Sequence, residues 1–245
     1  MFKLGLKQGF NFMSKKKHTA TVFDHDLDAL SAKIKEMCGI AENMLVDAID
    51  AISRHDVDLA RLTIAADARL DELQREVEES AVLLIVRRQP VSIDLREVVT
   101  AMRICRELER VGDLAKNVAK RVLKLAKVAP IPSAVISIRD FAELAIIQLR
   151  WVIDAYTRRD EERAEVVWLQ NIDIDAKQMF VFEELLALMT ENSRNITLCS
   201  HLIFTSKNIE QVVHHTTNIA EEIYFLVTGE KFPLVPHRAD PAEEL

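Results

Sequence analysis

The chain turns at RRQPVSIDLR, residues 87–96, and this stretch decides the fold. Pro90 cannot continue a helix and disfavours helical geometry in the residue before it, so one helix ends just upstream. Ser92 offers a new start, and apolar residues then recur at helical spacing from Val98 to Leu125. Residues 20–89 contain no proline, which leaves room for two long helices before the turn. The stretch therefore predicts the joint between the second and third helices of an up-down-up bundle.

The helical pattern repeats after the Pro-Ile-Pro linker at residues 130–132. A helix break at residues 159–160 lies about 100 residues after the corresponding break at residues 55–56, which indicates a duplicated three-helix unit. In the second unit, apolar spacing predicts a middle helix that runs unbroken from Trp168 to Met189. The third helix is predicted to close at Gly229, a favourable residue for a helix C-terminus.

We therefore predict an all-α fold of two tandem, structurally similar three-helix bundles, at residues 20–129 and 133–230. Residues 1–19 carry five lysines, no acidic residue and no signal-peptide pattern. A basic leader without order is expected there, and a segment that contacts anionic lipid is the alternative. Residues 231–245, with three prolines, are predicted to be a frayed C-terminal tail.

Composition narrows the class of protein. With 49% apolar residues, 29% charged residues and only 5 glycines, the chain is typical of a helix-rich globular protein. No apolar run approaches the roughly 18 residues that a transmembrane helix needs. The three scattered cysteines offer no disulfide framework, so we expect a cytoplasmic protein. The net charge of −7 argues against a general nucleic-acid binder.

Oxygen-bearing side chains form a stripe along the third helix, where Glu109, Asp113 and Asn117 recur every four residues. Asp67 and Asp71 repeat this spacing on the second helix. Residues four apart share one face of a helix, so two adjacent antiparallel helices bring four carboxylates within reach of each other. Such a group repels itself unless a cation lies between its members, and its oxygens suit Mg, Mn, Fe or Ca. The alternative is an ordinary solvated surface, because lysines and arginines lie beside the stripe.

The second repeat carries a different set at the corresponding positions: Glu210, His214 and Asn218 on its third helix and Asp175 on its second. Exchanging a carboxylate for an imidazole favours a borderline metal such as Zn or Fe over Mg. The alternative for His214 is a polar helix face that binds no ligand. The spacing alone leaves both interpretations open.

Four stretches of the chain together closely resemble the PhoU family, the accessory regulators of phosphate-specific transport. They read FDHDL (23–27), RRQPVSIDLREVV (87–99), LERVGDLAKNVAKR (108–121) and TNIAEEIYFLVTG (217–229). The resemblance implies a cytoplasmic homodimer or higher homo-oligomer that acts between the ATPase subunit of a phosphate ABC transporter and a sensor histidine kinase. It implies that the protein damps phosphate uptake and phosphate-starvation signalling when phosphate is plentiful, and that it reaches the membrane only through these partners.

The same resemblance implies metal ions or clusters on Glu/Asp-x-x-x-Asp motifs, one set in each bundle. The paired acids of the second and third helices match the first set, and Asn117 continues it. The second set departs from the family pattern, because His214 and Asn171 stand where acids are usual. A divalent or trivalent ion (Mg, Mn, Fe or Zn) is thus implied, with the second set in question.

Three functions compete at this point. The resemblance favours a non-enzymatic adaptor and signalling regulator. A metal-dependent hydrolase or oxidase that uses the carboxylate stripe is the alternative, although a stripe that faces outward from its bundle offers no obvious substrate pocket. A purely structural helical bundle is the third.

Overall fold

The computed structural model describes residues 9–170 and 172–232, with side chains from residue 25 onward except at residues 171–173. The described residues form helices and joints without a β-strand. The helices are Gly9–Arg54 (α1), Val57–Arg88 (α2), Ile93–Leu125 (α3), Pro132–Arg158 (α4), Glu161–Leu169 (α5), Ile172–Glu191 (α6) and Ile196–Thr228 (α7). A short 3₁₀ turn, Ser193–Asn195, leads into α7.

Two bundles lie side by side, which confirms the predicted all-α tandem architecture. Helices α1, α2 and α3 pack together as the first bundle, and α4, α5 and α6 pack around α7 as the second. The bundles meet where α3 packs on α7 and α1 packs on α4. The largest fully buried side chains are Ile34, Met37, Met44, Leu45, Leu70, Leu73, Ile104 and Leu108 in the first bundle and Ile138, Leu149, Leu185 and Leu202 in the second.

Local capping chemistry sets the ends of the helices. The Asp56 carboxylate accepts hydrogen bonds from the backbone N–H groups of Asp58 and Leu59 at 3.0 and 2.9 Å, so it caps the start of α2. Gln89, just before the proline, closes α2 in the left-handed conformation. Gly229 does the same for α7 with φ of +80°. The predicted joints at residues 55–56, 87–96 and 229 are confirmed.

Two predicted helices have different bounds in the structure. The middle helix of the second bundle is broken into α5 and α6 around Gln170. The backbone N–H of Gln170 still donates a hydrogen bond to the carbonyl oxygen of Val166. The neighbouring Asn171, a poor helix former because its side chain competes for backbone hydrogen bonds, lies outside the described residues. Helix α1 begins at Gly9, within the predicted leader, because its lysine-rich sequence favours a helix and contains no proline. Residues 1–8 and 233–245 lie outside the description.

Gly112 allows α2 and α3 to approach closely. A Cβ atom at this position would lie 2.2 Å from Leu70 Cδ2, a contact that real side chains do not make. Since the predicted acids lie on either side of this crossing, the close approach brings the two acid-bearing faces together. No described helix has the length and apolarity of a membrane span.

Candidate functional site

The first set of predicted ligands lies in the groove between α2 and α3. Asp67 is buried with 10% of its side chain exposed, and it faces Asp113 across the groove. The Lys116 ammonium nitrogen lies 2.5 Å from Asp67 Oδ2 and 2.5 Å from Asp113 Oδ1. Lys116 therefore fills the space between these two carboxylates that a metal ion would need.

Glu109 and Asp71 complete this acidic cluster. Burial, followed by the neighbouring charges of Asp113 and Asp71, raises the pKa of the Glu109 carboxyl. Burial opposes the charged form of Lys116, but its hydrogen bonds to Asp113 and Asp67 outweigh burial and raise the pKa of Lys116. The Asp67 carboxylate of α2 and the Asp113 carboxylate of α3 thus both contact the ammonium of Lys116, and Glu109 pairs with Arg110 instead.

The stripe of α3 faces this groove and not the outside of the bundle. Only 14% of the Glu109 side chain and 31% of the Asp113 side chain are exposed, because α2 covers them. Asn117 is exposed. Each four-residue step on a helix drifts by about 40°, so the third member of the stripe turns out of the groove that holds the first two.

The second set brings together Asp175 of α6 with Glu210 and His214 of α7. One ligand atom from each of the three residues lies within 4.8 Å of the other two. Among the described side chains, this is the one group of three or more His, Cys, Asp or Glu residues with such spacing. His214 Nε2 lies 3.6 Å from Glu210 Oε1, and Lys207 pairs with Glu210 Oε2. Two carboxylates and an imidazole would suit a single Zn or Fe ion.

The second set differs from the first in what neutralises it. The first set surrounds a lysine that is only 19% exposed, whereas the lysine at the second set is 56% exposed and touches one edge of the cluster. An exposed lysine can swing into solvent at little cost, because its charge stays hydrated. The second set could therefore accept a metal ion after a small movement of the exposed Lys207, whereas the first set could accept one only after the half-buried Lys116 moves.

Asn218 lies on the contact between α3 and α7, which we call the seam, and not with the second set. Its amide donates to Glu107 Oε2 at 2.9 Å, and His215 Nδ1 lies 2.7 Å from the same oxygen. The structure therefore does not bring Asn218 together with Asp175, Glu210 and His214. Helix α7 packs on α3 at one side and on the helices of its own bundle at the other. Asn218 lies eight residues after Glu210, a step that rotates its side chain by about 80° around the helix and toward α3.

The seam is also joined by an ion pair, since Arg103 Nη1 donates to both oxygens of Glu222 at 3.1 and 3.2 Å. Burial disfavours the charged form of Glu107, but hydrogen bonds from His215 and Asn218 outweigh it and lower the pKa of Glu107. Glu107 and Arg103 are not among the residues predicted from the sequence. Their partners lie more than 100 residues away along the chain, so no local pattern marks them.

The PhoU domain family model matches the chain twice, over residues 34–122 and 138–223. The chain belongs to the PhoU family. The two PhoU domains coincide with the two bundles, and the seam joins them. The acids of the first set lie inside the first PhoU domain, and Asp175, Glu210 and His214 lie inside the second.

The chain also aligns over most of its length with two curated relatives. Phosphate-specific transport system accessory protein PhoU homologs from Rhizobium meliloti and Caulobacter vibrioides are each 43% identical to it. The matches cover 86% and 87% of this chain and 90% and 93% of those proteins. The crystal structure of PhoU from Pseudomonas aeruginosa superposes with a TM-score of 0.82 at 27% identity, over 85% of this chain and 100% of that one. PhoU from Streptococcus pneumoniae, at 23% identity and a TM-score of 0.78, shares the fold.

Proposed function

We propose that this chain is the accessory protein of a phosphate-specific transport system and a negative regulator of phosphate uptake. The observation that carries the proposal is the double PhoU match, which accounts for both bundles and is shared with relatives of that name along most of their length. The regulator is non-enzymatic, as its relatives' description as accessory proteins supports. It acts in the cytoplasm as a homodimer or higher homo-oligomer.

We propose that it works as an adaptor between the ATPase subunit of the phosphate transporter and a sensor histidine kinase, and that it reaches the membrane through them. Two separate exposed apolar surfaces support an adaptor with two protein partners. One lies at the α2–α3 joint, where Val86 is 69% exposed and Val91 73%; the other lies on α6, where Phe180 is 67% exposed and Met179 53%. Exposed apolar patches of this kind mark protein-interaction surfaces.

A capture experiment tests the adaptor. The transporter ATPase and the kinase are each immobilised and exposed to the full chain, with and without phosphate and divalent metal. Val91→Asp is expected to weaken capture by one partner and Phe180→Asp by the other, because each places a charge in an apolar contact. Leu62→Asp, at an equally exposed position on α2, is the control. Capture by neither partner under any condition would refute the adaptor role.

We propose further that Asp175, Glu210 and His214 hold one divalent or trivalent ion. The support is the spacing of their ligand atoms and the exposure of the lysine beside them. The ion would tie α6 to α7. The first set, with Asp67, Asp71, Glu109 and Asp113, is proposed to take Mg, Mn or Fe only when Lys116 is displaced.

Elemental analysis of the purified protein tests the ion. His214→Ala is expected to lose it, since it removes one of three protein ligands. Glu183→Gln, an exposed acid on α6, is the control and is expected to retain it. Unchanged metal content in His214→Ala would show that this set is not the site. Loss of the ion from Asp113→Asn instead would move the site to the first set.

A further inference from the structure

Helix α6 exposes large apolar side chains on the face that points away from its own bundle. Three other apolar residues of this helix are buried in the second bundle: Ile174, Val181 and Leu185. On the outer face, Phe180 is 67% exposed, Met179 53% and Leu186 40%. A helix that is apolar on all sides is normally buried on all sides, so α6 indicates a protein surface that covers it.

A groove of about 400 Å³ opens between α4 and α6 beside this face. Phe141 and Val181 are buried and form its floor, whereas the exposed Phe180 lies at its edge. Ser137 Oγ donates a hydrogen bond to Glu184 Oε2 at 2.6 Å and so joins the two helices next to the groove. Pockets that take ligand groups measure roughly 300–1,000 Å³, so the groove has room for an aromatic side chain.

The groove carries one charge of each sign. Asp140 of α4 and Lys177 of α6 both line it, and both are exposed. Among the described side chains the two do not pair with each other, and Asp140 lies 3.3 Å from its neighbour Arg139, an exposed contact that contributes little. A partner of a single charge would leave either the acid or the base unmatched. A surface that presents an aromatic side chain, a groove for one and both charges is instead complementary to a second copy of itself.

We propose that the groove between α4 and α6 is the contact between two copies of the chain related by a two-fold axis. In such a contact both copies contribute the same surface, so each pair of residues meets twice. Phe180 of each copy enters the groove of the other, and Lys177 of each copy pairs with Asp140 of the other. The inference rests on the homo-oligomer of the proposed function and names its contact surface. Because the second copy covers the α6 surface assigned above to a protein partner, the two compete for it.

Analytical ultracentrifugation of the full chain at micromolar concentrations tests the contact. Phe180→Asp is expected to raise the Kd of the dimer about tenfold or more, because it replaces an aromatic anchor by a charge. Leu62→Asp, at an equally exposed position on α2, is the control and is expected to leave the Kd unchanged. Association of Phe180→Asp as tight as that of the native chain overturns the contact while leaving the proposed homo-oligomer in place. A native chain that stays monomeric leaves the groove to a different protein and overturns both.

Charge reversal tests the two-fold arrangement. Asp140→Lys and Lys177→Asp are each expected to weaken self-association about tenfold, since each places like charges opposite one another across the contact. Glu79→Lys, an exposed charge reversal on α2, is the control and is expected to associate like the native chain. Weakening by the control to the same extent as by the two groove variants overturns the proposal.

Mixing the two groove variants gives the decisive result. Asp140→Lys and Lys177→Asp are expected to form a heterodimer about as tight as the native dimer, because every pair across the two-fold contact then joins opposite charges. Recovery on mixing supports the proposal and excludes misfolding as the cause of the weakening, since a misfolded chain gains nothing from a second variant. Two variants that are each weakened and do not associate when mixed overturn the proposal.

Discussion

Replacing Lys116 tests whether a lysine acts as the cation of the first acidic set. Lys116→Met keeps much of the apolar stem but removes the ammonium that lies 2.5 Å from both Asp67 and Asp113. Breaking a fully buried ion pair costs roughly 3–5 kcal/mol. Lys116 keeps 19% of its exposure, so water replaces part of the lost contact and we expect about 2–3 kcal/mol. For a chain of this size that loss lowers Tm by about 4–12 °C.

The pH dependence of this loss has a definite sign. The pKa of Lys116 is raised in the folded protein, so its contribution is complete below its ordinary value of 10.5 and disappears only as the pH rises beyond that value. The stability gap between the native chain and Lys116→Met is therefore expected to be constant from pH 7 to pH 9.

The assay is urea and thermal unfolding, carried out in a His214→Ala background so that the second set does not contribute. Divalent Mn or Mg is expected to raise the Tm of Lys116→Met more than that of its parent, because the ion replaces the ammonium between the carboxylates. Lys120→Met, an exposed change on the same helix, is the control. A loss within about 0.5 kcal/mol, the range of ordinary surface changes, would refute the reasoning.

Further predictions concern the helix ends, the seam and catalysis. Gly229→Ala is expected to lower the free energy of unfolding in urea by about 1–2 kcal/mol, because φ is +80° and the new Cβ would lie 1.9 Å from an Arg96 nitrogen. Gly39→Ala, where the new Cβ has nothing within 4 Å, is expected to raise it by about 0.5–1 kcal/mol. Glu107→Gln is expected to be less stable than the native chain at pH 7, because the pKa of Glu107 is lowered in the folded protein. The difference in unfolding free energy is expected to shrink as the pH falls below 4.5, and a difference that persists in acid contradicts this. The metal-loaded chain is expected to show no steady phosphomonoester hydrolysis, and turnover that Glu109→Gln abolishes would instead make it an enzyme.

Local sequence signals predicted the architecture because helix ends depend on neighbouring residues. Proline and glycine punctuation, a capping aspartate and apolar spacing act within a few residues, so the joints at Asp56, Pro90 and Gly229 were predictable. The break at Gln170 was not, since apolar spacing continues across it from Trp168 to Met179. Periodicity reports which face is buried and says little about a single interrupted turn.

The sequence by itself determined which residues carry the candidate chemistry: two four-residue acid spacings in the first bundle and an acid–histidine spacing in the second. Only the tertiary structure decided what each set surrounds. Lys116 looks like an ordinary neighbour of the stripe, yet it lies between acids of two helices, because Gly112 lets those helices approach. Asn218 shares the spacing of the second set, yet it bonds Glu107 in the other bundle. Spacing fixes a face of one helix, whereas a site depends on which second helix packs against that face.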